Sequence, residues 1–264
     1  LVALYDDNGI SIDGAVTPWY VDDVTQRFAG YGWNVVGPVD GHDAAALDAA
    51  ITAARASATR PTIVICKTTI GRGSPNRAGS AKAHGEPLGA QEIELTRAAI
   101  GWPHEPFVMP EAAYAAWDAR AAGAAANEQW AEAFGSYQQA HPELAAEFLR
   151  RMKGELPAGF AQAAVAAIEA ADARAENVAS RKASQLALEV FTKLLPELLG
   201  GSADLTGSNL TNTTSTPALR FGDDGAPNDG RHVNYGVREF GMAAVMNGIA
   251  LHGGFIPYGG TFLT

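Results

Sequence analysis

The sequence has little cysteine, a deficit of basic charge and no long apolar run. Of its 264 residues only Cys66 is a cysteine, which excludes an intrachain disulfide and a multi-cysteine metal site. It carries 19 Lys and Arg against 29 Asp and Glu, a net charge of −10, which argues against a nucleic-acid partner. Because no apolar run approaches the roughly 20 residues of a membrane span and no leader segment opens the chain, we predict no membrane partner and a reduced, cytoplasmic setting.

The remaining composition is that of a folded globular protein, with 47% hydrophobic and 18% charged residues. In the first half, short apolar runs at 1–5, 33–36 and 62–68 alternate with helical patterns at 22–28 and from Asp43 onward. Strand and helix alternating at this spacing predict an α/β fold, with parallel sheets flanked by helices.

The middle of the chain, from about 110 to 175, is Ala-rich and predicted to be helical. Gly154 and Pro157 interrupt the pattern, which predicts a boundary between a domain at 1–154 and a second α/β part at 155–264. Helical spacing predicts core-facing stripes made by Trp130, Phe134 and Tyr137 and, further on, by Leu144 and Phe148.

Both ends of the chain differ from typical termini. The chain begins without Met inside an apolar run, and it stops at Thr264, where an apolar pattern is resuming. Natural termini are usually frayed and polar. We therefore expect the chain to be a piece of a longer protein.

The first predicted strand runs directly into Asp6-Asp7-Asn8-Gly9. Asn and Asp supply hard oxygen ligands, and Gly9 permits a sharp turn that exposes carbonyl groups. This pattern suits Mg²⁺ or Ca²⁺ on a phosphate. An Asx-type turn that merely ends the strand is the alternative, and local spacing favours it.

Two further segments carry candidate chemistry. Lys67–Asn76 has the glycines and basic groups of an anion-binding loop, and His84 follows it among small residues, although an ordinary loop histidine fits the local composition better. Glu239 stands at the start of a predicted helix. It is either a helix cap or a desolvated carboxyl that exchanges a proton, and without wider context the cap is favoured.

Taken together, segments along the whole chain resemble the transketolase family, and their order is the family's order. They distinguish it from the related deoxyxylulose-phosphate synthases. The matching segments are Tyr5–Gly14, Cys66–Asn76, His84–Gly89, Ser180–Gln185, Gly200–Leu205, and Tyr235–Met242 with Leu251–Gly254.

The resemblance implies thiamine diphosphate and a divalent cation (Mg²⁺, Ca²⁺ or Mn²⁺) as cofactors. It implies reversible transfer of a two-carbon ketol unit between sugar phosphates, as in the pentose phosphate pathway and the Calvin cycle. The implied assembly is a homodimer with the active site between the diphosphate-binding domain of one subunit and the pyrimidine-binding domain of its partner. On this reading, 1–154 belongs to the first domain and 155–264 is a linker with part of the second.

The resemblance also implies a role for each matching residue. Asn8 by its side-chain oxygen and Ile10 by its carbonyl would bind the cation, with Gly9 against the diphosphate. His84 would contact the diphosphate and the reacting sugar. Glu239 would hydrogen-bond N1′ of the aminopyrimidine and should therefore be desolvated. Arg181 and Ser208 would hold the phosphate of the sugar. Asp204 and Leu205 would line the cofactor beside its thiazolium ring.

The chain also departs from the family pattern. Thr206-Gly207 replaces the more usual Ala-Pro before Ser208, which predicts a softer turn, and Asn234 replaces a more usual His. A further metal-binding Asp would lie upstream of Leu1, and the aromatic that stacks on the aminopyrimidine would lie downstream of Thr264.

Two alternatives stay open at this stage. One is a relative of dihydroxyacetone synthase, which uses formaldehyde as acceptor. The other is a truncated, non-catalytic fragment. For the isolated polypeptide we predict no binding of thiamine diphosphate, which calorimetry with the cation present would check.

Overall fold

A computed structural model describes residues 1–262 of the chain. It contains two compact units, Leu1–Asp118 and Ala119–Thr264, and both combine parallel strands with flanking helices. The predicted α/β class is therefore confirmed. These units divide elsewhere than at residue 154, and the predicted boundary between the family's domains stays a prediction.

The first unit is built on a three-stranded parallel sheet in the order β1-β5-β4. A two-residue antiparallel hairpin, β2-β3, follows β1 directly. Elements of this unit are β1 (Val2–Asp7), β2 (Ile10–Ser11), β3 (Gly14–Ala15), α1 (Val24–Gly30), β4 (Asn34–Asp40), α2 (Ala44–Arg55), β5 (Thr62–Lys67), α3 (Lys82–Gly85), α4 (Ala90–Ala99) and α5 (Glu111–Trp117).

The central strand β5 is the most buried element of the first unit. Its five residues from Thr62 to Cys66 are all buried, as expected for a parallel strand with a neighbour on each side. Val64 and Cys66 pack against Ala50 and Ala54 of α2. Cys66 is a core residue, and burial raises the pKa of its thiol.

Aspartate side chains cap the N-termini of the first two helices, α1 and α2. Asp43 Oδ1 accepts hydrogen bonds from the backbone N–H groups of Ala45 (2.9 Å) and Ala46 (3.2 Å), which makes it the N-cap that the sequence predicts for α2. Asp23 caps α1 by accepting from Gln26 N at 2.9 Å. Helix α1 therefore begins two residues later than predicted.

The second unit contains another three-stranded parallel sheet, in the order β7-β6-β8. Its elements are α6 (Arg120–Ala140), α7 (Pro142–Met152), α8 (Phe160–Arg174), α9 (Ser180–Leu194), β6 (Leu198–Ser202), α10 (Thr206–Asn209), β7 (His232–Asn234), α11 (Glu239–His252) and β8 (Ile256–Gly260).

Two glycines explain how the second sheet closes around β6. A Cβ at Gly200 would lie 2.0 Å from the Tyr258 carbonyl oxygen, and one at Gly201 would lie 2.0 Å from the Val233 carbonyl oxygen. Any side chain at either position would push a neighbouring strand away. The Gly-Gly pair is thus required by the strand spacing.

The predicted core-facing stripes on α6 and α7 are wrong as a description of burial. Trp130 and Phe134 stack with ring centroids 5.8 Å apart, and Phe134 contacts Phe148 across the two helices at 5.7 Å. Yet Trp130 is 59% exposed and Phe148 is 41% exposed. Two helices that pair mainly with each other cover only one side of each ring.

Within residues 1–262 no helix is both long and apolar enough to cross a membrane.

Candidate functional site

The turn after β1 places oxygen atoms at the carboxyl edge of the first sheet. Asn8 Oδ1 accepts a hydrogen bond from Ile10 N at 2.9 Å, so the predicted Asx-type turn is present. The backbone of Gly9 has φ +71°, and a Cβ there would meet no atom within 4 Å. The turn therefore leaves open space against Gly9, as a closely approaching diphosphate would need.

The β2-β3 hairpin determines where the Ile10 carbonyl points. Val16 N donates to Gly9 O at 3.0 Å, which makes Gly9 and Val16 a hydrogen-bonded pair. Ile10 opposite Ala15 is then the next, non-hydrogen-bonded pair of the antiparallel ladder. Its carbonyl consequently points away from the partner strand and is available to a ligand, as is the second lone pair of Asn8 Oδ1.

A cleft of about 430 Å³ opens beside this turn. Among the described residues its wall carries Asp6, Asp7, Asp22 and Asp23 against one cation, Lys67, which forms an ion pair with Asp7 at 2.5 Å. Asp6 accepts a hydrogen bond from Thr68 Oγ1. Because the lining is mainly anionic, a diphosphate group would require a metal cation between itself and the wall.

The loop after β5 brings His84 to the same edge of the sheet. β1 and β5 are adjacent and parallel, so the segments after Asp7 and after Lys67 leave the sheet side by side. Gly79 N donates to Ile70 O at 2.8 Å, and Gly71 approaches so near that a Cβ would lie 2.8 Å from Ala83 Cβ. His84 in α3 is exposed at this edge.

The polar groups of the predicted anion-binding loop are used internally. Glu92 of α4, itself only 8% exposed, accepts from Ser74 Oγ, from Asn76 N at 2.8 Å and from Asn76 Nδ2 at 2.8 Å. Hydrogen bonds from the Ser74 and Asn76 side chains lead the interactions that lower the pKa of Glu92. Ser74 and Asn76 thus bind a carboxylate of the chain itself and not an external anion.

Sequence reasoning missed Glu92 and also the part played by His42. His42 Nε2 accepts from Thr69 N at 2.7 Å, and Arg72 Nη1 donates to His42 O at 3.1 Å. Both contacts hold the loop after β5. The Gly41-His42-Asp43 segment reads only as a helix start, and no local signal reveals a contact 27 residues away.

In the second unit, the residues after β6 form a strained turn. Asp204 has φ +61°, an uncommon conformation for a non-glycine residue that clusters at ligand sites. Ser202 Oγ accepts from Leu205 N at 3.0 Å and from Asn209 Nδ2 at 2.7 Å. The backbone of the turn is therefore fixed from beneath, with Asp204 and Ser208 exposed.

Glu239 begins α11 at the carboxyl edge of the same sheet. Its Oε1 accepts from Thr261 Oγ1 at 3.2 Å, a residue that follows β8. The Glu239 side chain is exposed in this single chain, and its desolvation in the assembled enzyme stays a prediction. Met242 of the same helix turn is buried, but the Glu239 carboxyl faces solvent, so a buried environment for it would have to come from another chain segment or a partner.

Arg181 lies at the start of a face of α9 that binds the loop after α10. Gln185 Nε2 donates to Asn212 O at 3.1 Å, and Glu189 accepts from Thr214 N at 2.8 Å. Positions 181, 185 and 189 share one helix face. Arg181 is exposed on the side of the helix that holds this loop.

The structure thus divides the predicted residues between its two units. The first unit carries Asn8, Gly9 and Ile10 in one turn after β1, and His84 in α3, which follows the neighbouring strand β5. The second unit carries Asp204, Leu205 and Ser208 in one turn after β6, with Arg181 in α9 and Glu239 at the start of α11. Within residues 1–262, no three His, Cys, Asp or Glu side chains group as a metal site, and the predicted cation ligands are instead an amide oxygen and a backbone carbonyl.

Comparison with known families decides the identity of the chain. Residues 1–157 match the sequence profile described as "Transketolase, thiamine diphosphate binding domain". Residues 176–264 match "Transketolase, pyrimidine binding domain". The chain belongs to the transketolase family. The resemblance drawn from the six segments is confirmed.

Curated transketolases are similar over the whole chain. The plasmid-encoded transketolase of Cupriavidus necator is 57% identical over 264 residues, which are 100% of this chain and 39% of that protein. Transketolase 2 of Vibrio vulnificus is 56% identical over 263 residues, with the same shares. The chain therefore spans about two fifths of the length of these transketolases.

Solved transketolase structures share the fold. A Pichia stipitis transketolase in complex with sedoheptulose 7-phosphate superposes with a TM-score of 0.86 at 39% identity. The superposition covers 99% of this chain and 39% of the Pichia stipitis chain. The transketolase of Leishmania mexicana gives a TM-score of 0.83 at 34% identity, covering 99% of this chain and 38% of its own.

Proposed function

We propose that this chain is part of a transketolase that transfers a two-carbon ketol unit from a ketose phosphate to an aldose phosphate, with thiamine diphosphate and a divalent cation. The observation that carries the proposal is the Asn8-Gly9-Ile10 turn. It combines an amide oxygen, an outward carbonyl and open space at the edge of an acidic cleft. That chemistry fits a hard cation bridging a diphosphate.

Thiamine diphosphate supplies the carbon nucleophile and the electron sink that ketol transfer needs. Asn8 and Ile10 would hold the cation, Mg²⁺ or its relatives Ca²⁺ and Mn²⁺. Glu239 would hold a proton between its carboxylate and the aminopyrimidine nitrogen N1′, and Asp204 with Leu205 would orient the cofactor. His84, exposed at the edge of the first sheet, would move protons on the sugar substrate.

The proposed substrates are sugar phosphates. Pichia stipitis transketolases have been solved with xylulose 5-phosphate, fructose 6-phosphate and sedoheptulose 7-phosphate. Arg181 of α9 and Ser208 of the α10 turn are both exposed in the second unit. Helix α9 binds the loop that directly follows this turn, through Gln185 and the Asn212 carbonyl. A guanidinium fork and a hydroxyl are suited to binding the phosphate of such a sugar.

We infer a homodimer as the working assembly, with the first unit of one copy acting with the second unit of its partner. The exposed carboxyl of Glu239, the exposed ring of Phe240 (91%) and the exposed side chain of Val237 (77%) beside it support this, since an isolated chain leaves them uncovered. A partner at this face would supply the desolvation that Glu239 lacks.

The test of the proposed function is ketol transfer by the full-length protein. We expect turnover with a ketose phosphate donor and an aldose phosphate acceptor that depends on thiamine diphosphate and Mg²⁺. Formaldehyde as acceptor is the control for the dihydroxyacetone-synthase alternative. Transfer to formaldehyde alone, or no transfer to either acceptor, would contradict the proposal.

Asn8→Ala in the full-length protein should weaken thiamine diphosphate binding at least about tenfold in the presence of Mg²⁺, because one metal ligand and the Asx turn are lost together. Calorimetric titration at several Mg²⁺ concentrations measures this. Ser11→Ala, in the same hairpin, is the control and should bind normally. If Asn8→Ala kept the same affinity and Mg²⁺ dependence, Asn8 would not be a ligand.

A further inference from the structure

The turn that carries Ser208 is tied to a buried histidine that the proposed chemistry does not use. His232 of β7 is 4% exposed, and its Nε2 lies 3.1 Å from Thr206 Oγ1. Thr206 is the first residue of the α10 turn, two residues before Ser208. The pair thus connects strand β7 of the second sheet to the proposed phosphate site.

This connection fixes the start of the turn through a side chain, next to Leu205, whose N–H donates to Ser202 Oγ at 3.0 Å. The far end is anchored because Asn209 Nδ2 donates to Ser202 Oγ at 2.7 Å. Between the two anchors, Gly207 and Ser208 are exposed, and glycine adds conformational freedom. Thr206-Gly207 predicted a soft turn from sequence, and the His232 contact offsets that softness.

The surroundings of His232 disfavour the charged form of its imidazole. Nδ1 is buried without a partner of hydrogen-bond geometry within residues 1–262, although the Thr211 backbone faces the ring. Burial, and then the charge of Arg220, lowers the pKa of His232, while the Thr211 backbone opposes part of this effect. The charge of Arg220, an exposed residue, acts on the ring, so a protonated imidazole would be a buried cation subject to repulsion from a second positive charge.

We propose that His232 is a positioning residue whose neutral imidazole, bonded to Thr206, holds the Thr206–Asn209 turn so that Ser208 meets the phosphate of the sugar substrate. The inference rests on the proposed function. It predicts that phosphate-dependent affinity, and not the chemical step, depends on His232.

The kinetic test uses the full-length enzyme with His232→Phe, Thr206→Val and the double variant. Each single variant should raise KM for a ketose phosphate about five- to tenfold, which corresponds to the loss of one ordinary hydrogen bond, with kcat within about twofold. The double variant should be no worse, because the two residues form one contact. A ketose without a phosphate group should show no change. His141→Phe, at an exposed histidine, is the control.

The second readout does not need activity. Amide hydrogen exchange of residues 203–211 should quicken about fivefold in either single variant, with no additional gain in the double variant. Relative to the intrinsic rate, exchange of this segment in the unchanged enzyme should also quicken as pH falls from 7 to 5.5, and His232→Phe should abolish that dependence.

The outcomes separate the two proposals. Unaltered exchange at 203–211 with an unaltered KM in both single variants would overturn the role of His232 and reduce it to core packing. Additive effects in the double variant would do the same. Absence of ketol transfer in the unchanged enzyme would overturn the proposed function. The amide hydrogen exchange of residues 203–211 would still decide whether His232 holds the turn.

Discussion

Glu239→Gln in the full-length enzyme is expected to lower kcat for ketol transfer by about 10²–10⁴-fold, while thiamine diphosphate still binds. Glutamine keeps the size of the side chain and can still accept from Thr261 Oγ1, but it cannot exchange a proton at a nitrogen atom. Binding should survive because the diphosphate is proposed to be held in the other unit, at Asn8 and Ile10. Steady-state kinetics and calorimetry of the same preparation measure the two effects.

Two controls make the result specific. Glu128→Gln removes an exposed carboxylate of α6 and should leave kcat unchanged. Thr261→Val removes only the hydrogen bond at 3.2 Å to Glu239 and should lower kcat modestly, by about tenfold at most. Near-normal turnover by Glu239→Gln would contradict the proton-exchange role and leave Glu239 as a simple helix-start residue.

Secondary structure was largely predictable from the sequence because its signals are local. The buried run at 62–66 gave β5, and the aspartate before Ala44 gave the start of α2. The stripe on α6 failed for a different reason. Helical spacing establishes that Trp130 and Phe134 share a face, but burial depends on what lies opposite that face, and spacing carries no information on it.

The candidate site was predictable as a set of residues and much less as a geometry. Asn8 and Glu239 stand in recognisable segments, so their positions at strand and helix ends follow. The cited contacts of Glu92, His42 and His232 join positions 16 to 27 residues apart. Such contacts depend on how loops return to a sheet, and no short motif encodes that. The exposure of Glu239 likewise depends on the three-dimensional surroundings of α11, which a local motif does not encode.

The partly buried guanidinium of Arg150 in α7, whose side chain is 15% exposed, is expected to determine the stability of the second unit. Arg150 bonds both oxygens of Glu197, with Nη1 to Oε1 at 2.9 Å and Nη2 to Oε2 at 3.1 Å. It also donates to Glu147 from Nε and Nη2, each at 2.7 Å. Glu197 directly precedes β6, and its side chain is 5% exposed. Arg150 therefore fastens α7 to the central strand of the second sheet.

Arg150→Ala should destabilise the α7–β6 region by about 3 kcal/mol, since it leaves the buried carboxylate of Glu197 unpaired. We place the value at the low end of the usual range for such losses because Glu147 is partly exposed and keeps Arg151 as a partner at 2.7 Å. At 1.4 kcal/mol per tenfold change, amide exchange of α7 and β6 should quicken roughly 150-fold. Arg174→Ala, which removes a 4.0 Å surface contact to Glu176, is the control and should change little.

Acidification supplies the decisive comparison for Arg150. Hydrogen bonds from Arg150 lead the interactions that lower the pKa of Glu147 from 4.5 to about 2. Burial raises the pKa of Glu197, but hydrogen bonds from Arg150 and the nearby charges outweigh it, so this pKa is also lowered. A carboxyl with a lowered folded pKa contributes stability that is complete above its ordinary pKa and is lost as pH falls through the folded value.

The unchanged protein should therefore lose protection of α7 and β6 progressively between about pH 5 and pH 2. Arg150→Ala should lose less over the same interval, because part of its stabilisation is already absent at neutral pH. In the double variant Arg150→Met with Glu197→Leu, protection at neutral pH should recover, since an apolar pair of similar volume replaces a buried ion pair at little cost. Equal pH slopes in the unchanged and Arg150→Ala proteins would show that the ion pairs do not determine the stability of this region.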